Sequence, residues 1–448
     1  MNLPISPASR REFLRRVASY SVVGGAAPFA VNLAAIGTAA AQSAGGYKAL
    51  VCLFLYGGND AYNMVLATDP ASWASYNTVR NQAPDPISLK APGTPSLASA
   101  AAGSPDRLGG ALAINPARVQ GRSFAVHPVM TGVRDLFAAS RLAIVPNVGP
   151  LLRPTTKAQY KDSKFPKPAK LFSHNDQQST WQAYAPEGAT AGWGGRMADL
   201  LASGNSNAVF TSISAAGNAV WLSGRSVLQY QVSTSGAIRI GGAGSSTLFG
   251  SATAFAKMRG IMRNTRSPHL LEQDYAAVVG RSIDAETNLS AALPAANAAP
   301  FGTPGATGTN DPLLQYDNPL TGAKAFNQLS QQLQIVARTI AARATLGATR
   351  QVFFVSLGGF DSHDAQNRNQ ADNLAKLSHA LKYFDSTLAA MGVANQVTTF
   401  TASDFGRTFT SNGDGTDHGW GSHHFVMGGA VRGGDLYGNF PVLGVSDA

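Results

Sequence analysis

Cysteine is almost missing from this sequence. Cys52 stands alone, so no internal disulfide can form, and stability must come from the packed core that 44% apolar residues in 448 allow. Within the apolar "ALVCLFLY" the thiol reads as an inert packed side chain. A long, strongly apolar run is missing as well. The uncharged, Ala/Gly-rich run from Val17 to Ala41 is interrupted by Gly24, Gly25, Pro28 and Asn32, which makes it a poor membrane span and argues against a stable membrane anchor. No basic stripe interleaved with aromatics occurs, which leaves nucleic-acid binding without support, and no sustained internal repeat is found.

That run follows "SRREFLRR" (Ser9 to Arg16) and carries the small residues "TAAA" just before Gln42. This reads as a twin-arginine export signal over residues 1–41, cleaved after Ala41, with a membrane anchor as the alternative. Export of an already folded chain by the twin-arginine machinery implies a periplasmic or secreted protein and favours a cofactor loaded before export. Removing Arg10, Arg11, Arg15, Arg16 and Glu12 takes +3 from the formal +10 and leaves a mildly basic +7.

Four short apolar runs have strand length: "ALVCLFLY" (Ala49 to Tyr56), "LAIVPNV" (Leu142 to Val148), "VFFVSL" (Val352 to Leu357) and "VTTFTA" (Val397 to Ala402). Their near-continuous hydrophobicity fits strands covered on both faces. Helical spacing of apolar residues over Ala325–Gly347 and Asn369–Gly392, each ending in Gly, alternates with the last two runs as in βαβ units. The fold class expected is therefore α/β, a three-layer α/β/α sandwich on a mainly parallel sheet, in one domain over 42–448. A β-rich appendage at about 205–250 and a low-complexity surface loop at about 290–312 are expected to interrupt it. His379, inside the second helix, reads as structural.

Ligands of such sheets bind beyond the carboxyl ends of the strands. There the sequence delivers "GGNDAYN" with Asp60, "GGFDSHDAQ" with Asp361 and His363, and "SDFGRT" with Asp404 and Arg407. Carboxylates gathered at one edge call for a compensating cation. Asp with neutral His suits a divalent ion such as zinc or manganese, and "GTDHGWGSHHF" adds His418, His423 and His424 soon after Asp404. Each motif alone also reads as an ordinary Gly/Asp turn or a packed histidine; their convergence on one edge favours the metal. Copper is a competing reading for clustered histidines, but the carboxylates favour a harder ion. Between Arg153 and Lys170 six basic residues face one acidic, Asp162, which suits an anionic small-molecule substrate, and Thr155 or Thr156 offers a hydroxyl nucleophile. "LFSHNDQQSTWQ" adds His174, as ligand, acid/base or structural residue.

Together, "LFLYGGNDAYN", "LFSHNDQQSTWQ", "SLGGFDSHDAQ" and "SDFGRTFTSNGDGTDHGWGSHHFVMGGAVRGG" resemble the DUF1501 family of exported bacterial proteins, over nearly the whole mature chain. That family is similar to the alkaline phosphatase and sulfatase superfamily, which implies an α/β/α sandwich and metal-dependent hydrolysis of phosphate or sulfate esters. The resemblance implies metal ligation by Asp60, Asp361, His363, Asp404 and His418, a site of one or two divalent ions (zinc, manganese or calcium), and a hydroxyl nucleophile for which Thr156 or Thr155 is the candidate. Arg407 or nearby lysines would stabilise transferred charge. Phe405 departs from the pattern by standing where a second-site histidine is usual; His423 or His424 is expected to replace it, and since neighbours on a strand alternate faces, the other is structural. The resemblance also implies a closing segment beyond "FPVLGVSDA". A non-catalytic binding or scaffold protein that keeps the fold is the competing class.

Overall fold

The computed structural model describes residues 46–239, 246–264 and 268–445. The expected export signal lies outside them. Among the described residues no helix is long and apolar enough to cross a membrane.

Eight strands form the main sheet: β1 (Lys48–Leu55), β2 (Leu142–Val148), β3 (Ser212–Ser214), β4 (Tyr230–Ser233), β5 (Gly236–Ala237), β6 (Arg350–Leu357), β7 (Val397–Ser403) and β8 (Ser422–Met427). Their spatial order is β2-β8-β7-β1-β6-β3-β4-β5. β1, β6 and β7 are parallel neighbours, and β3 and β4 continue the parallel run. β8 and β5 run the other way, so the sheet is mixed; β2, antiparallel to β8, regains the direction of β1. All four apolar runs are thus strands pointing one way.

Helices cover both faces, which explains the near-continuous apolar runs. On one face Val51, Leu53 and Leu55 of β1 pack with α1 (Thr131–Ala138), α4 (Gln328–Ala341) and α5 (Gln366–Ala390). On the other, Cys52 and Phe54 pack with Trp181 of α2 (His174–Ala183), Met197 of α3 (Trp193–Leu201) and Trp221 of a separate short turn. Burial pushes the Cys52 thiol pKa well above its ordinary value, in keeping with an inert packed thiol.

Three expectations are corrected. The region at about 205–250 is no separate appendage: β3, β4 and β5 extend the main sheet at its edge. The first expected helix is shorter, because Lys324–Phe326 pairs as a strand and the Asn327 side chain then caps α4 by accepting from the Leu329 and Ser330 amides. The loop at about 290–312 begins only after a helix that runs to Ala292, and its Phe301 is buried, with its carbonyl accepting from Tyr383 Oη at 2.6 Å and Gln334 Nε2 at 3.1 Å. α5 ends as expected, with Gly392 at φ +70°. His379 is held structurally, its Nδ1 3.0 Å from Ser330 Oγ.

Candidate metal centre

β7, β1 and β6 are adjacent and parallel, and Leu55 lies level with Leu357 on one side and Ser403 on the other. The three following loops therefore leave the sheet side by side. Close approach needs glycine: a Cβ on Gly57 (φ +115°) would sit 2.3 Å from the Asp361 amide nitrogen, and one on Gly58 (φ +82°) 2.4 Å from the Phe405 ring.

Asp361 is the centre. Its Oδ2 lies 3.3 Å from His174 Nε2, and its Oδ1 lies 3.1 Å from His363 Nε2 and 3.4 Å from His418 Nε2. The two imidazoles of His363 and His418 meet at 2.9 Å through their Nε2 atoms. Among the described residues His174, Asp361 and His418 form the group whose ligand atoms lie within 4.8 Å of one another, and His363 borders it. The Asp361 side chain is 45% exposed, so the cluster opens to solvent.

Behind these groups sits a ring of acceptors. His174 Nδ1 is 2.7 Å from Asp404 Oδ2, which also accepts from Gln178 Nε2 at 2.8 Å. His418 Nδ1 is 2.9 Å from the Phe172 carbonyl, and His363 Nδ1 is 3.4 Å from Asp417 Oδ1. Phe172 sits at φ +70°, a left-handed conformation costing a bulky residue about 1–2 kcal/mol, and its amide donates to Gln177 Oε1. Phe405 forms the floor, its ring centroid 4.4 Å from that of His418 and 4.8 Å from that of His174.

Burial raises the Asp361 carboxyl pKa, but the Arg407 hydrogen bond, with His174 and His363, more than offsets it, so the carboxyl titrates below its ordinary value. For Asp404 burial wins over Gln178 and His174, and the pKa is raised. Burial lowers that of His418, assisted by Arg407 and His174 against the Phe172 carbonyl.

The remaining expected site residues lie elsewhere. Asp60 is fully buried in an ion pair with Arg80, at 2.5 and 3.0 Å, and also accepts from Gln366 Nε2 at 2.7 Å and the Tyr62 amide at 3.0 Å. A guanidinium already neutralises it, so it does not join the ligand set. Arg407 is likewise buried: it donates to Asp361 Oδ1 at 2.8 Å, to the Gly57 carbonyl and to Thr416, and so orients Asp361 without a donor directed outward. Thr156 caps a short helix reciprocally with Gln159, and the Thr155 hydroxyl donates to the Arg153 carbonyl, so both hydroxyls are engaged within their own segment. His423 and His424 point to opposite faces of β8, beside Tyr62 and Phe440 and beside Trp181, and neither replaces a ligand at Phe405. Burial lowers both pKa values to about 3.

Gln178, Phe172 and Arg80 were not foreseen. Only Gln178 left a trace, lying four residues after His174 and hence on the same helical face. Gln366 and Thr416 complete a buried chain from Asp60 to the cluster: Thr416 Oγ1 donates to Gln366 Oε1 at 2.6 Å, and Arg407 Nε donates to Thr416 Oγ1 at 3.2 Å.

Fold and site define a mixed α/β protein with a histidine–aspartate cluster at the carboxyl ends of its central strands. The family model of DUF1501, described as a protein of unknown function, matches residues 47–448, and the chain belongs to that family. No curated protein matches it.

Proposed function

We propose that the protein is a metal-dependent hydrolase of phosphate or sulfate esters, built on an alkaline phosphatase-like sandwich and exported to the periplasm or beyond by the twin-arginine machinery. The observation that carries this reading is the convergence of His174, His363 and His418 on the Asp361 carboxylate through their Nε2 atoms. Nitrogen-rich donors with one carboxylate suit zinc or manganese better than calcium, which prefers oxygen. The Nδ1 atoms facing carboxylate or carbonyl oxygens match the outer partners that metal-ligating histidines usually have. The single cluster among the described residues favours one ion over two.

A divalent ion held there would supply Lewis-acid polarisation of the ester oxygen. The chain's own residues do the rest. Arg407 fixes Asp361, and the buried Arg80–Asp60 pair supports Arg407 through Gln366 and Thr416. The basic segment after β2 emerges at the same sheet edge and reaches Phe172 through Tyr160, ring centroids 6.4 Å apart, which favours attraction of an anionic substrate. Since both threonine hydroxyls are engaged locally, the nucleophile in this reading is solvent water entering from the open side of Asp361.

The local engagement of Thr155 and Thr156 favours the second reading, a binding or scaffold protein that retains the fold. Turnover of aryl phosphates and aryl sulfates with added zinc or manganese separates the two. The hydrolase reading expects turnover that disappears in Asp361→Asn; a folded, metal-loaded protein inert toward both ester classes would leave the scaffold reading standing.

A further inference from the structure

We propose that Asp404 and the Phe172 carbonyl are positioning groups that hold His174 and His418 with bare Nε2 atoms, so that the site is preorganised for a cation before one binds. This rests on the metal-binding reading above and assigns Asp404 to a place behind the ligands. A backbone carbonyl only accepts hydrogen bonds, so the 2.9 Å contact from Phe172 O requires the proton of His418 on Nδ1. The Asp404 carboxylate, taking Gln178 Nε2–H on the same oxygen, likewise takes His174 Nδ1–H at 2.7 Å. A neutral imidazole carries one proton, which leaves the Nε2 lone pair of both rings exposed.

Those lone pairs face Asp361 oxygens at 3.3 and 3.4 Å, and with the His418 proton on Nδ1 the 2.9 Å contact to His363 is a hydrogen bond donated by His363 Nε2. Lone pairs confronting a carboxylate repel unless a cation stands between them. The fold imposes the confrontation from behind the rings: the Asp404 side chain is 0% exposed at the end of β7, and the Phe172 amide N–H donates to Gln177 Oε1. His363, 46% exposed and with only a 3.4 Å contact behind it, is the adjustable member. Asp404 thus acts through His174.

The test is nitrogen-15 NMR of the histidines in the full chain, stripped of metal with a chelator, at about pH 8, above the ordinary imidazole range. Resonances are assigned by their loss in His174→Gln and His418→Gln. The expected result is the Nδ1–H neutral form for both. In Asp404→Asn, His174 is expected to take up the Nε2–H form while His418 is unchanged, and zinc affinity is expected to fall roughly 10- to 100-fold at unaltered stoichiometry. The wild-type spectrum alone is decisive if the variant does not fold: an Nε2–H or doubly protonated form of either ring overturns the proposal. Loss of all zinc binding in Asp404→Asn with His174 still in the Nδ1–H form overturns it too, because Asp404 would then be a ligand, and an Asp404→Asn protein unchanged in both readouts overturns it as well. Nδ1–H rings in a wild-type protein that binds no zinc would support the positioning and sink the metal reading, so the two failures are distinguishable.

Discussion

Asp60→Asn separates structural support from metal ligation. In the folded protein Asp60 and Arg80 have side chains that are 0% exposed, and the carboxylate engages both terminal nitrogens of the guanidinium. The substitution removes the negative charge and leaves Arg80 buried with two carbonyl acceptors, Phe409 and Thr408, and Asn63. Removing one partner of a buried pair costs about 3–5 kcal/mol, because the surviving charge is uncompensated. Unfolding entropy of roughly 2.1 cal/mol/K per residue, over about 400 residues, gives about 0.8 kcal/mol/K, so Tm should drop by about 4–6 °C. The assay is thermal unfolding of the metal-free protein together with a zinc titration. The expected outcome is this fall in Tm with zinc stoichiometry preserved. A variant with wild-type metal-free Tm that no longer binds zinc would instead make Asp60 a ligand.

Buried His127, His423 and His424 all have folded pKa values lowered to about 3 by burial, against about 6.5 when unfolded. Between those limits the unfolded chain binds more protons, so stability rises with pH and is lost as pH falls below 6.5; by pH 5.5 the three together cost about 4 kcal/mol, measurable as a drop in Tm of about 5 °C. A Tm that stays level from pH 7.5 to 5.5 would contradict this burial. Gly58→Ala should destabilise by about 1–3 kcal/mol and weaken zinc binding, because its Cβ would strike the Phe405 ring at 2.4 Å beneath His174 and His418 and its φ of +82° disfavours any side chain; chemical denaturation and zinc titration read both effects. Replacing exposed Lys161, Lys164 and Lys170 by Gln should raise KM for an anionic aryl ester by roughly 3- to 10-fold at low salt with kcat unchanged, and the difference should shrink as salt rises. A change confined to kcat would place those lysines in a different role.

The sheet was legible because burial on both faces leaves a local mark: apolar runs such as "VFFVSL" need no partner to be recognised. The 205–250 region misled because β3 and β4 are three and four residues long, too short to separate an edge of the main sheet from an independent one. At the site, Asp361, His363 and His418 were readable since each follows a strand or lies in a dense motif. What the sequence conceals is occupancy by a distant partner. Asp60 and Asp361 sit in near-identical "GGND" and "GGFD" turns, yet Arg80, 20 residues on and carrying no motif, claims the first. His423 and His424 were candidates for the same reason; a strand buried on both faces turned them away from the cluster.

Whether the cluster around Asp361 binds a divalent ion is decided by metal analysis of the protein purified in its folded state. The expected result is close to one zinc or manganese ion per chain, a Tm that rises on adding either metal to stripped protein, and loss of both effects in Asp361→Asn. A wild-type protein with no bound divalent ion and no change in Tm on adding zinc or manganese would contradict it.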